Sequence, residues 1–308
     1  MNMTWMKLAA ATALLAGTAA AVPPAAKLNV VTTTPDLAAL AREIGGDAID
    51  VKVLAKPTED PHFVDAKPSH IVTLNRADVL IEGGAELEMG WLPPLLESAR
   101  NDRIAAGAPG RISASTGVKL MDIPTAFDRS KGDVHALGNP HYLLDPVNAR
   151  LVAGQIAERF AQVAAPSAEL FRANLRRFQA TLDARLAAWQ KELAPYRGAK
   201  LVTYHKDFNY FAARFGLEVV ETLEPKPGIA PSAAHLTRVI STMRSANARI
   251  IIVQSFQNRR TAETVARQTG ATVVGISQQP GALPNTASYF ELMDSIVRTL
   301  ATAFQERS

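Results

Sequence analysis

Ser167-Ala-Glu-Leu-Phe-Arg-Ala-Asn-Leu-Arg-Arg-Phe-Gln-Ala-Thr-Leu-Asp-Ala-Arg-Leu-Ala-Ala-Trp-Gln-Lys-Glu-Leu-Ala194 contains neither Gly nor Pro, and Pro166 and Pro195 bracket it. Phe171, Leu175, Phe178, Leu182, Leu186, Trp189 and Leu193 recur at spacings of three and four, so they form one apolar stripe on a single helix. At ~1.5 Å per residue that helix is about 42 Å long. A flexible linker has no such stripe. Arg172, Arg176, Arg177 and Arg185 fall off the stripe and read as a solvated face.

On either side of this helix, short apolar strands alternate with amphipathic segments. Leu28–Thr34, Ile49–Leu54 and Ala77–Ile81 read as strands before it, with a helix over Pro35–Ile44. After Pro195 the pattern restarts with Lys200–Tyr204, Leu217–Val220, Ala248–Val253 and Ala271–Val274. Strands alternating with helices predict parallel sheets. The expected architecture is α/β: two βα lobes joined by one long, rigid backbone helix. The boundaries are 22–165 for the first lobe, 166–195 for the linking helix and 196–308 for the second. Lobes held by one packed helix close by small movements.

The first residues constrain where the protein works. Lys7 precedes an apolar run that ends at Ala19-Ala20-Ala21, the layout of a secretory signal peptide. The run falls short of the ~20 residues that span a bilayer, and Pro23-Pro24 follow it. Residues 1–21 are therefore expected to be removed near Ala21, leaving a periplasmic chain with no membrane insertion. The chain has no cysteine, which excludes disulfides, thiolate metal sites and a lipid-anchoring cysteine. A formal charge of +4 spread along helices argues against a nucleic-acid partner.

Six histidines remain: His62, His70, His135, His141, His205 and His235. Three stand where α/β proteins bind ligands, just past strand carboxyl ends or at helix starts. His62 follows the second strand in Glu59-Asp-Pro-His62. His141 lies in Asn139-Pro-His141, ahead of Asp145-Pro146, which reads as a helix N-cap and first helical residue. His205 directly follows the strand ending at Tyr204. No HxH or HExxH spacing joins them, so spacing alone leaves each open to a structural reading.

The combination Asp60-Pro-His62, Lys67-Pro-Ser69, Asn139-Pro-His141 with Leu144-Asp-Pro146, and Tyr204-His205 with Tyr210-Phe211 and Phe215-Gly-Leu217 resembles the zinc- and manganese-binding receptors of bacterial ABC importers. The resemblance runs over essentially the whole mature chain. It implies a C-clamp shape and makes His62, His141 and His205 metal ligands. It also implies, as partners, a membrane permease with its ATPase, with a periplasmic metal chaperone as a candidate donor; a monomer is expected. The function it implies is high-affinity capture of Zn2+, with Mn2+ the less favoured cargo, and delivery to the permease.

The departure from the family pattern is at the fourth ligand. Many members carry an aspartate where Gly275-Ile-Ser-Gln-Gln-Pro-Gly281 has Gln278. Gln278 itself, a carboxylate from Glu59 or Asp60, or a water is left to complete the site, with water or a carboxylate favoured over Gln278. Three imidazoles suit zinc, copper or nickel, whereas manganese favours oxygen ligands. His135, beside Asp133 in a polar loop, is a candidate accessory metal residue, although an exposed loop histidine is the simpler reading. His70 and His235 read as structural, and Glu82, Glu86, Glu88, Trp91 and Tyr142 as residues packing around the cleft. The rival readings are a zinc hydrolase with Glu59 or Asp60 as general base, and a receptor for an organic solute. Apart from such a hydrolase, no enzymatic role is expected.

Overall fold

The computed structural model describes residues 26–124, 135–226 and 228–306. The segment read as a signal peptide lies outside them, as does Asp133. Among the described residues, two four-stranded parallel sheets share one strand order. In the first, β1 (Leu28–Thr32) lies between β2 (Ile49–Val53) and β3 (Val79–Glu82), with β4 (Arg111–Ser113) outside β3. In the second, β5 (Lys200–Thr203) lies between β6 (Glu218–Thr222) and β7 (Ile250–Val253), with β8 (Thr272–Gly275) outside β7. The sequence reading had not anticipated β4. It is three residues long, and so short a strand carries no periodic signal.

The helices pack on both faces of each sheet. The first half contributes α1 (Pro35–Gly45), α2 (Pro68–Asn75), α3 (Leu92–Ala99) and α4 (Pro146–Val163). Proline in the first turn starts each of these four, where its missing N–H costs nothing. Asp145 caps α4 by accepting from the Val147 N–H at 2.9 Å, as the Asp-Pro pair predicted. The second half contributes α6 (Asn209–Phe215), α7 (Ala233–Ala246), α8 (Arg259–Thr269) and α9 (Tyr289–Gln305). Ser288 and Glu291 form a capping box on α9.

Between the halves runs α5 (Ala168–Leu193), a helix of 26 residues flanked at each end by a short 3-10 turn. Phe171, Phe178, Leu182, Trp189 and Leu193 of the stripe are buried, with Leu175 and Leu186 partly so. They belong to one continuous apolar core that includes Leu37 and Phe160 of the first half and Met293, Leu300 and Phe304 of the second. Separate apolar clusters fill the outer faces, one around Leu74, Leu80 and Trp91, the other around Val202, Met243 and Ile251. Polar ties lock the helix in place. The Trp189 indole N–H donates to Asp294 Oδ1 at 2.7 Å, and Asn174 Nδ2 donates to the Ile44 carbonyl at 2.8 Å. Because the shared core continues through α5 into both halves, hinge bending there would expose apolar surface.

Candidate metal centre

The loops at the carboxyl ends of both sheets face each other, and His62, His141 and His205 meet between them. Their ligand atoms all lie within 4.8 Å of one another. His141 Nε2 and His205 Nε2 are 3.1 Å apart, and the three ring centroids are separated by 5.0 to 5.3 Å. Three ring nitrogens so close together could hold one metal ion.

Carboxylates hold two of the rings from behind. His62 Nδ1 lies 2.7 Å from Asp60 Oδ1, which also accepts the His62 backbone N–H at 3.0 Å. His205 Nδ1 lies 2.6 Å from Glu224 Oε1. Each pairing assigns the proton to Nδ1 and leaves the Nε2 lone pair aimed inward, the orientation a metal ligand needs. The Gln278 side chain is a hydrogen-bond partner of His141.

Electrostatics divides the rings. Burial, then the neighbouring His205 and His62, hold His141 well below the usual imidazole range, so it stays neutral. Burial also opposes a proton on His205, but the Glu224 hydrogen bond and the charges of Asp207, Glu224 and Asp60 outweigh it and raise its pKa. Asp60 is lowered: burial acts against its charge, and the side-chain and backbone hydrogen bonds from His62, together with electrostatic attraction to His62 and His205, outweigh it.

Glu59 and Asp60, the carboxylate candidates for the fourth ligand, fall outside the group of mutually close ligand atoms, although Asp60 lines the small space beside His62 and His205. Glu59 accepts the Lys56 N–H through Oε2 at 3.0 Å, and the Asp60 oxygen named above faces the back of His62. His135, by contrast, sits close. Its Nε2 is 3.1 Å from His62 Nε2, although it falls outside the group of three mutually close rings. Burial, reinforced by His62 and His205, pushes its pKa down to about 3. His70 is the third residue of α2, and His235 on α7 donates through Nε2 to the Thr222 carbonyl at 2.9 Å.

A turn after β3 braces the first-lobe side. Glu88, 4% exposed, accepts from Thr33 Oγ1 at 2.6 Å and from the Gly83 and Gly84 N–H groups at 2.6 and 3.1 Å. Burial pushes its carboxyl up to about 7. From the same turn Glu86 Oε2 accepts the Ala136 N–H at 2.5 Å, next to His135. The Trp91 indole N–H donates to the Pro61 carbonyl at 2.9 Å, next to His62. Glu82 is instead engaged by Arg111 in a bidentate pair at 2.6 and 2.9 Å, and Tyr142 donates to the Gly83 carbonyl at 2.6 Å.

Glu224 escaped the sequence reading, as did the pair Asp207 and Gln254 behind His205. Asp207 is buried, raised to about 6 chiefly by that burial, and accepts from Gln254 and Gln257. The one signal for Glu224 is its place just beyond the carboxyl end of β6, in Leu223-Glu-Pro225. The space enclosed by Asp60, His62, His205, Glu224, Gln254 and Gln278 is about 20 Å³. A cavity needs ~10–15 Å³ for a single water, so this one suits an ion or a water. A wider cavity of about 550 Å³ lies at the cleft mouth, on the far side of His62 and His135, among Phe63, Glu86, Met89 and Trp91.

The zinc-uptake complex component A periplasmic family, ZnuA, matches residues 30–303. The chain belongs to this family. Among individual relatives, it is 24% identical over 264 residues to the high-affinity zinc uptake system protein ZnuA of Bacillus subtilis, covering 82% of this chain and 81% of that one. It is 26% identical over 292 residues to the iron-binding protein YfeA of Yersinia pestis, covering 91% and 87%. A crystal structure of ZnuA superposes with a TM-score of 0.75 at 22% identity, over 90% of this chain and 99% of that one. Two parallel sheets bridged by one long helix are thus the fold of solved family structures. ZnuA-family chains are periplasmic components of metal-uptake complexes, and among the described residues no helix is long and apolar enough to cross a membrane.

Proposed function

We propose that this chain captures Zn2+ outside the cytoplasm with His62, His141 and His205 and delivers it to the permease of an ABC importer. The observation that carries this reading is the convergence of three imidazoles, two of them held at Nδ1 by Asp60 and Glu224 and the third hydrogen-bonded to Gln278. Neutral nitrogen ligands favour zinc over manganese, which takes oxygen-rich, higher-coordinate sites. Asp60 and Gln278 act through the rings they hold. The fourth position faces His135, which receives the ion at the cleft mouth, or is filled by a water. Mn2+ is the secondary cargo.

In this reading residues 1–21 direct export and are cut near Ala21. The mature periplasmic protein works as a monomer with lobes 22–165 and 196–308 on the helix 166–195. A periplasmic chaperone is the donor that fits a carrier of this kind. In this reading the chain carries its ion without turning over a substrate, as the ZnuA-family match supports.

The test is zinc stoichiometry and affinity of the metal-stripped mature protein by chelator competition, beside the triple variant H62A/H141A/H205A. One tight site that disappears in the variant is expected. No tight site, or one that survives the triple change, overturns the reading. Ester or phosphoester turnover by the zinc-loaded protein would instead favour a hydrolase.

A further inference from the structure

Asn139 lies two residues before His141 and is 5% exposed. Every hydrogen-bonding group it possesses is engaged. Its backbone N–H donates to the Met121 carbonyl at 2.8 Å, and its carbonyl accepts from Tyr210 Oη at 2.7 Å. Its Oδ1 accepts the His141 N–H at 3.0 Å, closing a turn around Pro140 that fixes where His141 starts. The two Nδ2 hydrogens go to different places. One reaches Asp122 Oδ2 at 2.9 Å in the first lobe, and the other the Lys206 carbonyl at 2.7 Å in the second.

Lys206 immediately follows His205. A single side-chain amide therefore holds the backbone that carries His141 and the backbone that carries His205, in opposite lobes. The two rings it spaces are the pair whose Nε2 atoms stand 3.1 Å apart. Neighbours reinforce the tie: Asn209 Nδ2 donates to the same Asp122 oxygen at 2.7 Å, and Tyr210 Oη also accepts the Met121 N–H at 2.8 Å. No other side chain of similar size supplies one acceptor and two donors at this point. Aspartate cannot donate, and alanine does neither.

We infer that Asn139 is a positioning residue that sets the metal preference of the site, by fixing the His141–His205 spacing across the lobe boundary. The inference rests on the zinc-capture reading above. A tightly spaced nitrogen cage suits four-coordinate zinc. Lobes free to part admit the extra water oxygens that manganese takes. Losing Asn139 thus weakens zinc more than manganese, which a general loss of stability does not do.

The experiment measures Zn2+ and Mn2+ affinities and metal-free thermal unfolding for the parent, N139A, N139D and the double variant N139D/D122N. In N139A, zinc affinity is expected to fall about ten- to a hundredfold, the scale for a lost group that orients a ligand. Manganese affinity should change far less, so the zinc-to-manganese ratio drops. In N139D/D122N the exchanged pair regains its contact within the first lobe, but the Lys206 carbonyl still lacks its donor. That variant should recover unfolding temperature relative to N139D and keep the lowered ratio. Equal losses for both metals, no loss in N139A, or a ratio restored by D122N each overturn the inference. A parent that binds no zinc fails differently, since it removes the metal site itself.

Discussion

Glu224 Oε1 lies 2.6 Å from His205 Nδ1, so a carboxylate of the second lobe both orients this ring and holds a proton on it. The raised pKa of His205 follows from the same contact. Metal binding at Nε2 must displace whatever proton that nitrogen carries. Affinity should therefore rise with pH through the raised His205 pKa and fall in acid. E224Q removes the orienting charge and should cost about ten- to a hundredfold in zinc affinity at pH 8. Because His205 then binds protons less well, the gap between parent and E224Q should narrow as pH falls. Chelator competition at several pH values checks both parts, and a gap that is constant with pH counts against the assignment.

His135 and His205 should separate cleanly. His205 belongs to the mutually close group, whereas His135 touches it only through His62. H205A should abolish tight binding. H135A should retain one zinc per chain and lose about tenfold or less in affinity, the lower end for a supporting group. Titration of the two variants decides it. Loss of stoichiometric binding in H135A would make His135 a full ligand.

Glu88 gives the fold a pH dependence of known sign. Its carboxyl is raised from 4.5 to about 7 by burial, so the native state holds a proton that the unfolded chain releases. Stability from this group is fully present below about pH 4.5 and declines as pH rises through about 7. The term is on the order of 3 kcal/mol at ~1.4 kcal/mol per pKa unit. E88Q lacks it. Relative to E88Q, the metal-free parent should therefore lose stability between pH 5 and pH 8, measured by denaturant unfolding. A stability difference that does not change over that range would contradict the buried-acid assignment.

Phe178 tests the rigid helix. It is buried on α5 against Tyr289 and Phe290 of α9, with ring centroids 6.4 and 5.2 Å away. F178A should cost about 3–5 kcal/mol, as large buried truncations do. Because the core runs through α5 into both halves, unfolding should remain one transition at a lower temperature. Two separated transitions in calorimetry would mean that the halves are not coupled through this core.

The helix was legible because its signal is long and local: seven apolar residues at helical spacing, with proline at each end and none between. The parallel sheets followed from the alternation of elements, and all seven expected strands have ends within two residues of those observed. Strand β4 was not legible, since Arg111–Ser113 is too short to show a period.

The chain order of His62, His141 and His205, each beside a strand end or helix start, was readable from sequence together with the family resemblance. Sequence by itself determined the architecture and the chemistry available, because helical and strand periods and the absence of cysteine are properties of the chain alone. Tertiary structure decided which groups meet. Glu224 is 19 residues from His205, and Lys206 is 67 residues from Asn139. No local pattern encodes such pairings. They exist because two sheets of the same strand order turn their carboxyl ends toward one cleft, and the shared core along α5 holds them there.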